Sequence, residues 1–361
     1  MRKTILYLVI LAVLGIAVYF FLIKSNDNPY GQTEAGFTVK DTAAIGKLFI
    51  ADNDGESVLV ERTDSGWVVN KKYKALRSTL NMILTTLTRQ AALYPVTKNA
   101  YENVIKNLST DGKKVEVYGR DGKKITVFYV GGVAVNNTGT NMLMEGAKMP
   151  YVVQVQGFNG YLTSQYTTNM ADWRDRTIFS FQPDEIKSVS IQYPDKPINS
   201  FAINRENGTF SVSADTNITK HLDPLNIRRI NVYLKYFGNV NCEGYLNGFI
   251  DTHESIATAP KRATMEITGM HGQRQHADIY WMPINKRSKN LTVANEDVPD
   301  DYDADRMYAV INDGQDTVMI QQMIFKNMFR KSFEFYQKDV TPTQMPPNNE
   351  PPRNVMMHKN Q

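Results

Sequence analysis

The sequence is poor in cysteine, with Cys242 as the only one among 361 residues. A single cysteine cannot form an internal disulfide, and it supplies neither a cysteine metal cluster nor a redox pair. Cys242 lies in an apolar stretch, where a cysteine most often behaves as a small hydrophobic residue. We therefore predict that Cys242 belongs to a hydrophobic core.

Recognisable catalytic motifs are also missing. The sequence contains no G-x-S-x-G nucleophile elbow, no S-x-x-K motif and no Walker A lysine loop. Gly131-Gly132 follows a strand pattern without a phosphate-binding helix start behind it, which predicts a bulge or tight turn. We expect no catalytic residue and no cofactor, and we predict that the chain is not an enzyme. A hydrolase assembled from residues on distant loops is the alternative that the sequence leaves open.

The histidines lack the spacing of a zinc site such as H-E-x-x-H. There are five of them: His221, His253, His271, His276 and His358. Two of these flank a predicted hairpin turn, His271 and His276, and a pair of surface histidines is the simpler interpretation. We therefore expect no metal site among them.

One acidic run has the spacing that begins a calcium loop. Asp301, Asp303 and Asp305 form a D-x-D-x-D pattern. A calcium loop needs glycine at its sixth position and a bidentate glutamate at its twelfth, where this sequence has Arg306 and Asn312. The pattern therefore favours a solvated acidic hairpin loop over a calcium site.

The chain has no large excess of charge of one sign. Its formal net charge is +4 with neutral histidines, and its basic residues alternate with acidic ones instead of forming a stripe. A nucleic-acid-binding domain usually carries a basic face. We therefore predict that nucleic acid is not a partner.

Long apolar runs are absent except for one, Ile5–Ile23, which Arg2, Lys3 and Lys24 flank. About 20 apolar residues at about 1.5 Å per residue cross a hydrocarbon core of about 30 Å. The run is longer than the apolar region of a cleaved signal peptide, and no small-x-small cleavage site follows it. We predict an N-terminal signal anchor over residues 1–24, formed by a single transmembrane helix. The positive-inside rule then puts the N-terminus in the cytoplasm and the body across the membrane.

The remaining chain repeats one order of elements at an offset near 140 residues. The repeat opens with alternating strands at Ile45–Ile50 and Ile186–Ile191, and each copy later changes to a helical period. Leu80, Ile83 and Leu87 share a helical face in the first copy, as do Ile230 and Leu234 in the second.

This repetition predicts an α+β fold of two tandem duplicated modules. We expect each module to be an antiparallel sheet with amphipathic helices packed on one face. The predicted boundaries are a linker at residues 25–36, a first module at 37–180 and a second at 181–338. Residues 339–361 are rich in proline and predict a disordered tail.

Several short segments near the end of the first copy carry a resemblance to a known family. They are Val130-Gly131-Gly132, Gly139–Met142, Pro150–Val153, Gly157–Leu162 and Trp173–Phe179. With the N-terminal anchor in front of it, the chain from about residue 37 to about residue 335 resembles the domain-of-unknown-function family 4340.

The resemblance implies a bacterial envelope protein. Some members are encoded beside ABC-transporter components of the gliding type. It thus implies an envelope location and envelope proteins as partners, among them ABC-transporter membrane subunits. The predicted anchor and its orientation add the expectation of the bacterial inner membrane, with the body in the periplasm. It carries no activity, substrate or catalytic residue.

The densest mixed cluster is Trp173, Arg174, Asp175 and Arg176. One interpretation is a partner-binding anchor, because tryptophan and arginine dominate interface hot spots. The other is a clasp at the junction between modules, with arginine and aspartate paired and the tryptophan buried. The position of the cluster, where the first copy gives way to the second, favours the clasp.

These observations give one leading functional hypothesis and one alternative. The leading hypothesis is a membrane-anchored extracytoplasmic interaction module, an accessory subunit of an envelope assembly such as a gliding-type or ABC-type transport machine. The alternative is binding of a lipid, glycan or cell-wall ligand at the junction of the two modules, because domain interfaces often form ligand clefts.

Overall fold

The computed structural model describes residues 35–135, 137–214, 224–289, 291 and 298–337, with the backbone alone for residues 250–253. The predicted signal anchor, almost all of the predicted linker and the predicted tail lie outside the described residues. None of the helices within the described part is long and apolar enough to span a bilayer.

The predicted α+β fold class is wrong, because the described part of the chain is mainly β-structure. Two large antiparallel sheets dominate it, and its α-helices are short pieces of 4 to 13 residues. The helical periods in the sequence are real, but several strands are only two or three residues long. Strands of that length are too short to show an alternating pattern, so the strand content is underestimated from the sequence.

The first sheet has nine strands in the described residues, in the order β4-β3-β2-β1-β6-β7-β8-β9-β5. Its strands are β1 (Ile45–Ala51), β2 (Ser57–Thr63), β3 (Gly66–Val69), β4 (Tyr73–Lys74), β5 (Gln90–Pro95), β6 (Lys113–Gly119), β7 (Lys124–Val133), β8 (Thr140–Met144) and β9 (Tyr151–Val155). All neighbours are antiparallel, and a turn through Gly122, which has a φ of 79°, joins β6 to β7. The register of β7 on β8 shifts between Val130 and Val133, so the predicted irregularity at Gly131-Gly132 is a β-bulge.

The first sheet carries helices on both faces, which corrects the prediction of one covered face. Helix α1 (Arg77–Arg89) packs Ile83 and Leu87 into the same core as Phe128 of β7. Helix α2 (Lys98–Thr110) packs Leu108 against a second cluster that includes Tyr129. Successive residues of a strand point to opposite faces, so the two helices cover opposite sides. The reason lies in β7 itself, which has apolar residues on both of its faces.

The chain enters the core of the first sheet through a short extended segment. Phe37 is fully buried and meets Phe128 edge-to-face, with ring centroids 5.9 Å apart. The Gln90 side chain donates a hydrogen bond to the Phe37 carbonyl at 2.7 Å, and the Val39 N–H donates to Leu87 O at 2.8 Å. These contacts fix the residues before β1 firmly to the body.

The second sheet has eight strands in the described residues, in the order β13-β12-β11-β16-β17-β18-β19-β15. Its strands are β11 (Ile186–Gln192), β12 (Phe201–Glu206), β13 (Thr209–Ala214), β15 (Gly244–Tyr245), β16 (Lys261–Gly269), β17 (Arg274–Pro283), β18 (Tyr302–Ile311) and β19 (Asp316–Gln321). A separate pair is formed by β10 (Thr177–Phe179) and β14 (Val240–Asn241). The order matches that of the first sheet from β3 to β9, strand for strand.

Three α-helices accompany the second sheet in the described residues: α3 (Ile227–Leu234), α4 (Ile250–Thr258) and α5 (Gln322–Phe325). Asn226 caps α3 by accepting a hydrogen bond from Arg229 N. Ile230 and Leu234 of α3 enter a single large core, which also takes in Cys242 as predicted.

The chain divides into two compact units, with the boundary between Asp175 and Arg176. Each unit contains one large sheet and its own core. An evolutionary duplication stays a prediction, although the shared strand order agrees with it.

Candidate binding sites in the second unit

The predicted cluster begins with Trp173, which is fully buried in the core of the first unit. Its indole N–H donates to Thr167 O at 3.0 Å, and its carbonyl accepts from Leu76 N at 2.7 Å. Trp173 therefore fixes the start of α1 and is not available on the surface as a binding anchor.

The other cluster residues lie against elements of their own unit. The Arg174 guanidinium packs on the Tyr73 ring, and Asp175 forms an ion pair with Lys74 at 3.5 Å. The Arg176 carbonyl accepts a hydrogen bond from Cys242 N at 2.8 Å in the second unit. These contacts are structural, and the module-junction and partner-site interpretations of the cluster stay predictions.

The acidic run forms ion pairs with a nearby arginine. Asp303 is fully buried, and Arg287 donates to both of its carboxylate oxygens, at 3.1 and 2.8 Å. One of those oxygens also accepts from the backbone N–H groups of Asp305 and Arg306. Arg287 further pairs with Asp305 at 3.0 Å. The expectation of a solvated loop therefore fails for Asp303, whereas the side chains of Asp301 and Asp305 are exposed to solvent.

The two histidines whose side chains are described, His271 and His276, do not assemble a metal site. His276 lies 3.5 Å from Asp278, and His271 is exposed in the turn between β16 and β17. Among the described residues there is no group of three or more potential metal ligands. His221, His358 and the side chain of His253 lie outside the part of the chain that the structure describes.

A cleft of about 300 Å³ opens at one end of the core of the second unit. We call it the basic cleft, and it is lined by Tyr193, Asp195, Lys196, Asn199, Arg262, Trp281, Pro299, Phe329 and Lys331. Its charged lining consists of three cationic side chains and one carboxylate, and its apolar lining consists of three aromatic rings and Pro299. Small-molecule sites commonly combine apolar walls with a few charged groups in this way.

Arg262 forms the floor of the basic cleft because of a β-bulge. The register of β16 on β17 shifts between Lys261 and Ala263, which leaves Arg262 as the extra residue. The extra residue in a β-bulge breaks the alternation of side chains, so that two successive side chains can point to the same face of the sheet. Arg262 and Ala263 are consequently both buried on successive positions.

The Arg262 guanidinium is held by several side chains at once. Its carbon lies 4.3 Å from the Trp281 ring centroid and 3.7 Å from that of Phe329. Its Nη1 donates to Gln322 Oε1 at 2.6 Å. Trp281 is in turn stacked on Tyr302, with centroids 5.6 Å apart. The cation therefore has a fixed position, and the tryptophan serves to orient it.

Two lysines stand at the rim of the basic cleft on neighbouring segments. Lys196 precedes the 3₁₀ turn Pro197–Asn199, and Lys331 precedes the 3₁₀ helix Ser332–Tyr336. These two turns contact each other. Both lysines are exposed, and neither forms an ion pair with any described residue.

The first unit has glycines at the positions that correspond to two of the largest side chains of the cleft. Ile50 pairs with Val115, and Ile191 pairs with Met265, which sets the equivalence of the two sheets. Counting from there, Arg262 and Trp281 correspond to Gly112 and Gly132.

Gly112 has no room for a side chain, and the space beside Gly132 is tight. A Cβ on Gly112 would come within 2.0 Å of Leu108 O, and one on Gly132 would meet Asn107 Oδ1 at 3.1 Å. The end of α2 fills this place. The basic cleft is thus a feature of the second unit and not a requirement of the shared strand order.

A second candidate surface is the free edge of the second sheet at β13. The two-residue turn Asn207-Gly208, with φ of 48° and 79°, fixes Glu206 opposite Thr209 as a hydrogen-bonded pair. The backbone groups of Phe210, Val212 and Ala214 then point away from β12. Among the described residues no strand pairs with this side, and the Tyr336 hydroxyl reaches Val212 O only at 3.5 Å.

Comparison with known proteins identifies the family. A family model, Domain of unknown function (DUF4340), matches residues 67–262. The chain belongs to this family. The resemblance expected from the sequence is thereby confirmed, over a shorter stretch than expected. No curated protein and no solved structure matches the chain.

The DUF4340 match covers one candidate surface completely and the other only in part. It includes all of β13 and, in the basic cleft, extends as far as Arg262. Trp281, Phe329 and Lys331 lie beyond it. Sequence reasoning missed this cleft because its residues come from five separate segments and Arg262 enters only through a bulge. Arg262 follows a lysine at the start of an alternating strand, so no local pattern distinguishes it from a solvated residue.

Proposed function

We propose that this chain is an interaction module of a bacterial envelope assembly and acts by binding, without catalysis. The partner is an envelope protein of a gliding-type or ABC-type transport machine. The apolar run Ile5–Ile23 attaches the chain to the inner membrane, and the body lies in the periplasm. Edge strand β13 is the docking surface, and its occupant is an extended segment of the partner.

The observation that carries this proposal is the edge of the second sheet at β13, with which no other described strand pairs. Strand edges normally avoid pairing through short length, proline or charge. The other edge strands follow this rule, since β4 and β15 have two residues each and β5 ends in Pro95. By contrast, β13 has six residues, Thr209–Ala214, with neither charge nor proline.

The side chains of β13 also suit strand addition. Phe210, Val212 and Ala214 pack against the core, whereas Thr209, Ser211 and Ser213 are exposed. An added strand would gain main-chain hydrogen bonds from β13 and could extend the same apolar face. Family membership supports the envelope setting, because the resemblance implies envelope proteins with assembly partners.

The test is to purify the full-length protein from its native membranes in mild detergent and compare two variants. Ala214→Pro removes an outward N–H, which an edge strand tolerates because that group takes no part in the ladder with β12. Ala214→Ser keeps the N–H and is the matched control. We expect a stoichiometric partner with wild type and Ala214→Ser, and at least tenfold less with Ala214→Pro.

Equal recovery of the partner with both variants would overturn the role of β13, provided both show wild-type thermal unfolding. Recovery of the protein alone from wild-type membranes would overturn the interaction module itself. If the protein is recovered only in complex with a second copy of itself, β13 mediates self-association instead of binding a partner. Membrane attachment has its own test, in which carbonate washing and protease treatment of spheroplasts should leave the body membrane-bound and accessible from the periplasm.

Ligand binding, the alternative function, concerns a different surface. The basic cleft, which lies in the second unit and does not include β13, is the observation that favours ligand binding.

A further inference from the structure

We propose that the basic cleft binds a small organic anion, a carboxylate or phosphate monoester of about monosaccharide size. This inference rests on the ligand-binding alternative and is independent of the partner role of β13. The volume of about 300 Å³ sets the size, because it lies at the lower end of small-molecule sites.

The charge of the lining selects an anion. Lys196 and Lys331 reach the rim from two segments, and Arg262 supplies a third cation at the floor. Asp195 is the only carboxylate in the described lining. Ammonium and guanidinium groups form short, charge-assisted hydrogen bonds with both carboxylate and phosphate oxygens, so the shared chemistry is the anionic oxygen group.

The rigidity of the floor favours a specific site over a diffuse one. Arg262 is only 9% exposed and is fixed by Gln322, Trp281 and Phe329. A group that is already held in place loses little conformational entropy when a ligand arrives. The two rim lysines are less constrained by comparison, and they can adjust to the shape of the anion.

The walls of the basic cleft favour an organic ligand with apolar surface over an inorganic ion. Tyr193 and Phe329 present partly buried rings beside the cations, and Pro299 closes another side. Tyr193 is itself held in place, because its hydroxyl donates to Arg330 O at 2.7 Å. Aromatic rings beside polar groups suit the C–H faces of a sugar or a short hydrocarbon.

The comparison between the two units supports a ligand-binding role for the basic cleft. At the positions of Arg262 and Trp281, the first unit has Gly112 and Gly132, where backbone or Asn107 fills the space. The shared strand order therefore does not demand a hollow here. The second unit instead places two of the largest side chains at these positions, and they border an open cleft.

The experiment is calorimetric titration of the full-length protein in mild detergent with three probes. Glucuronate tests the carboxylate, glucose 6-phosphate tests the phosphate, and glucose is the neutral control. The test variant is Lys196→Gln with Lys331→Gln. The matched control is Lys187→Gln with Lys326→Gln, which changes two exposed lysines of the same unit outside the cleft.

We expect at least one anionic probe to bind at least tenfold more tightly than glucose. The rim double variant should weaken that binding at least tenfold, and the control double variant should leave it within twofold. Which of the two anionic probes binds more tightly identifies the oxygen group. Ala214→Pro should leave the titration unchanged, which separates this inference from the partner proposal.

Two results would overturn the inference. One is equal binding, or equal lack of binding, of all three probes to the wild type. The other is an affinity of the rim double variant equal to that of the control double variant. All four lysines are exposed, so both double variants should unfold at the wild-type temperature, and thermal unfolding of each preparation verifies this.

Discussion

The guanidinium carbon of Arg174 lies 3.6 Å from the centroid of the Tyr73 ring, and Arg174 is only 4% exposed. An arginine over an aromatic face is attracted by the ring quadrupole, and the attraction grows when water is excluded. This contact ties the last residues of the first unit to its edge strand β4, beside the backbone bridge from Ala75 to Arg174.

We expect Tyr73→Leu to lower the free energy of unfolding by about 2 kcal/mol, because it removes the ring beneath a desolvated cation. Tyr73→Phe keeps the ring and is the matched control, with an expected change below about 0.5 kcal/mol. Urea unfolding followed by tryptophan fluorescence measures both. Equal losses in the two variants would show that the ring does not stabilise Arg174.

The buried carboxylate of Asp303 gives a second prediction. Asp303→Asn should destabilise the protein by about 2–3 kcal/mol, because it removes the charge that Arg287 and two backbone N–H groups bind. Asp305→Asn is the control, since the Asp305 side chain is 45% exposed and its ion pair should contribute less than about 1 kcal/mol. Thermal unfolding with calcium or with a chelator should give the same midpoint. A midpoint that rises with calcium would contradict the ion-pair interpretation.

The third prediction concerns the stability of the folded protein at low pH. Burial opposes ionisation of Glu116, but hydrogen bonds from Tyr118 and Lys114 outweigh it and lower the pKa of Glu116 from 4.5 to about 2. A carboxylate with a depressed pKa stabilises the folded state above the unfolded-state value, and this contribution is lost as pH falls. We therefore expect the free energy of unfolding to fall between about pH 4.5 and pH 2 through this group.

Glu116→Gln should flatten that part of the pH profile, and Glu56→Gln, an exposed control in the same unit, should not. Urea unfolding at intervals of half a pH unit measures the two slopes. Identical slopes for wild type and Glu116→Gln would place the acid sensitivity elsewhere.

Part of the fold follows directly from the sequence. The alternation at Ile45–Ile50 and Ile186–Ile191 locates two central strands, and the spacing of Leu80, Ile83 and Leu87 locates α1. These patterns are local, and each reports burial of one face. Cys242 also lies in a core as expected.

Other parts depend on tertiary contacts that the sequence does not display. The strand β7 reads as one apolar run, which cannot show that two helices cover its opposite faces. Asp303 reads as part of a solvated loop because its partner Arg287 is 16 residues away and no local pattern pairs them. The basic cleft is hidden for the same reason, since a bulge and several distant loops create it.

The burial of Phe37 sets a limit on how far the body can move if the apolar run lies in a membrane. Residues 24–36 separate the end of the run from Phe37, which is 13 residues. A fully extended chain spans at most about 3.3–3.6 Å per residue, so this tether reaches no farther than about 50 Å. The start of the first unit would then stay within a thin layer above the bilayer. Any protein that contacts the segment at Phe37 would therefore have to bring its contacting surface within about 50 Å of the bilayer.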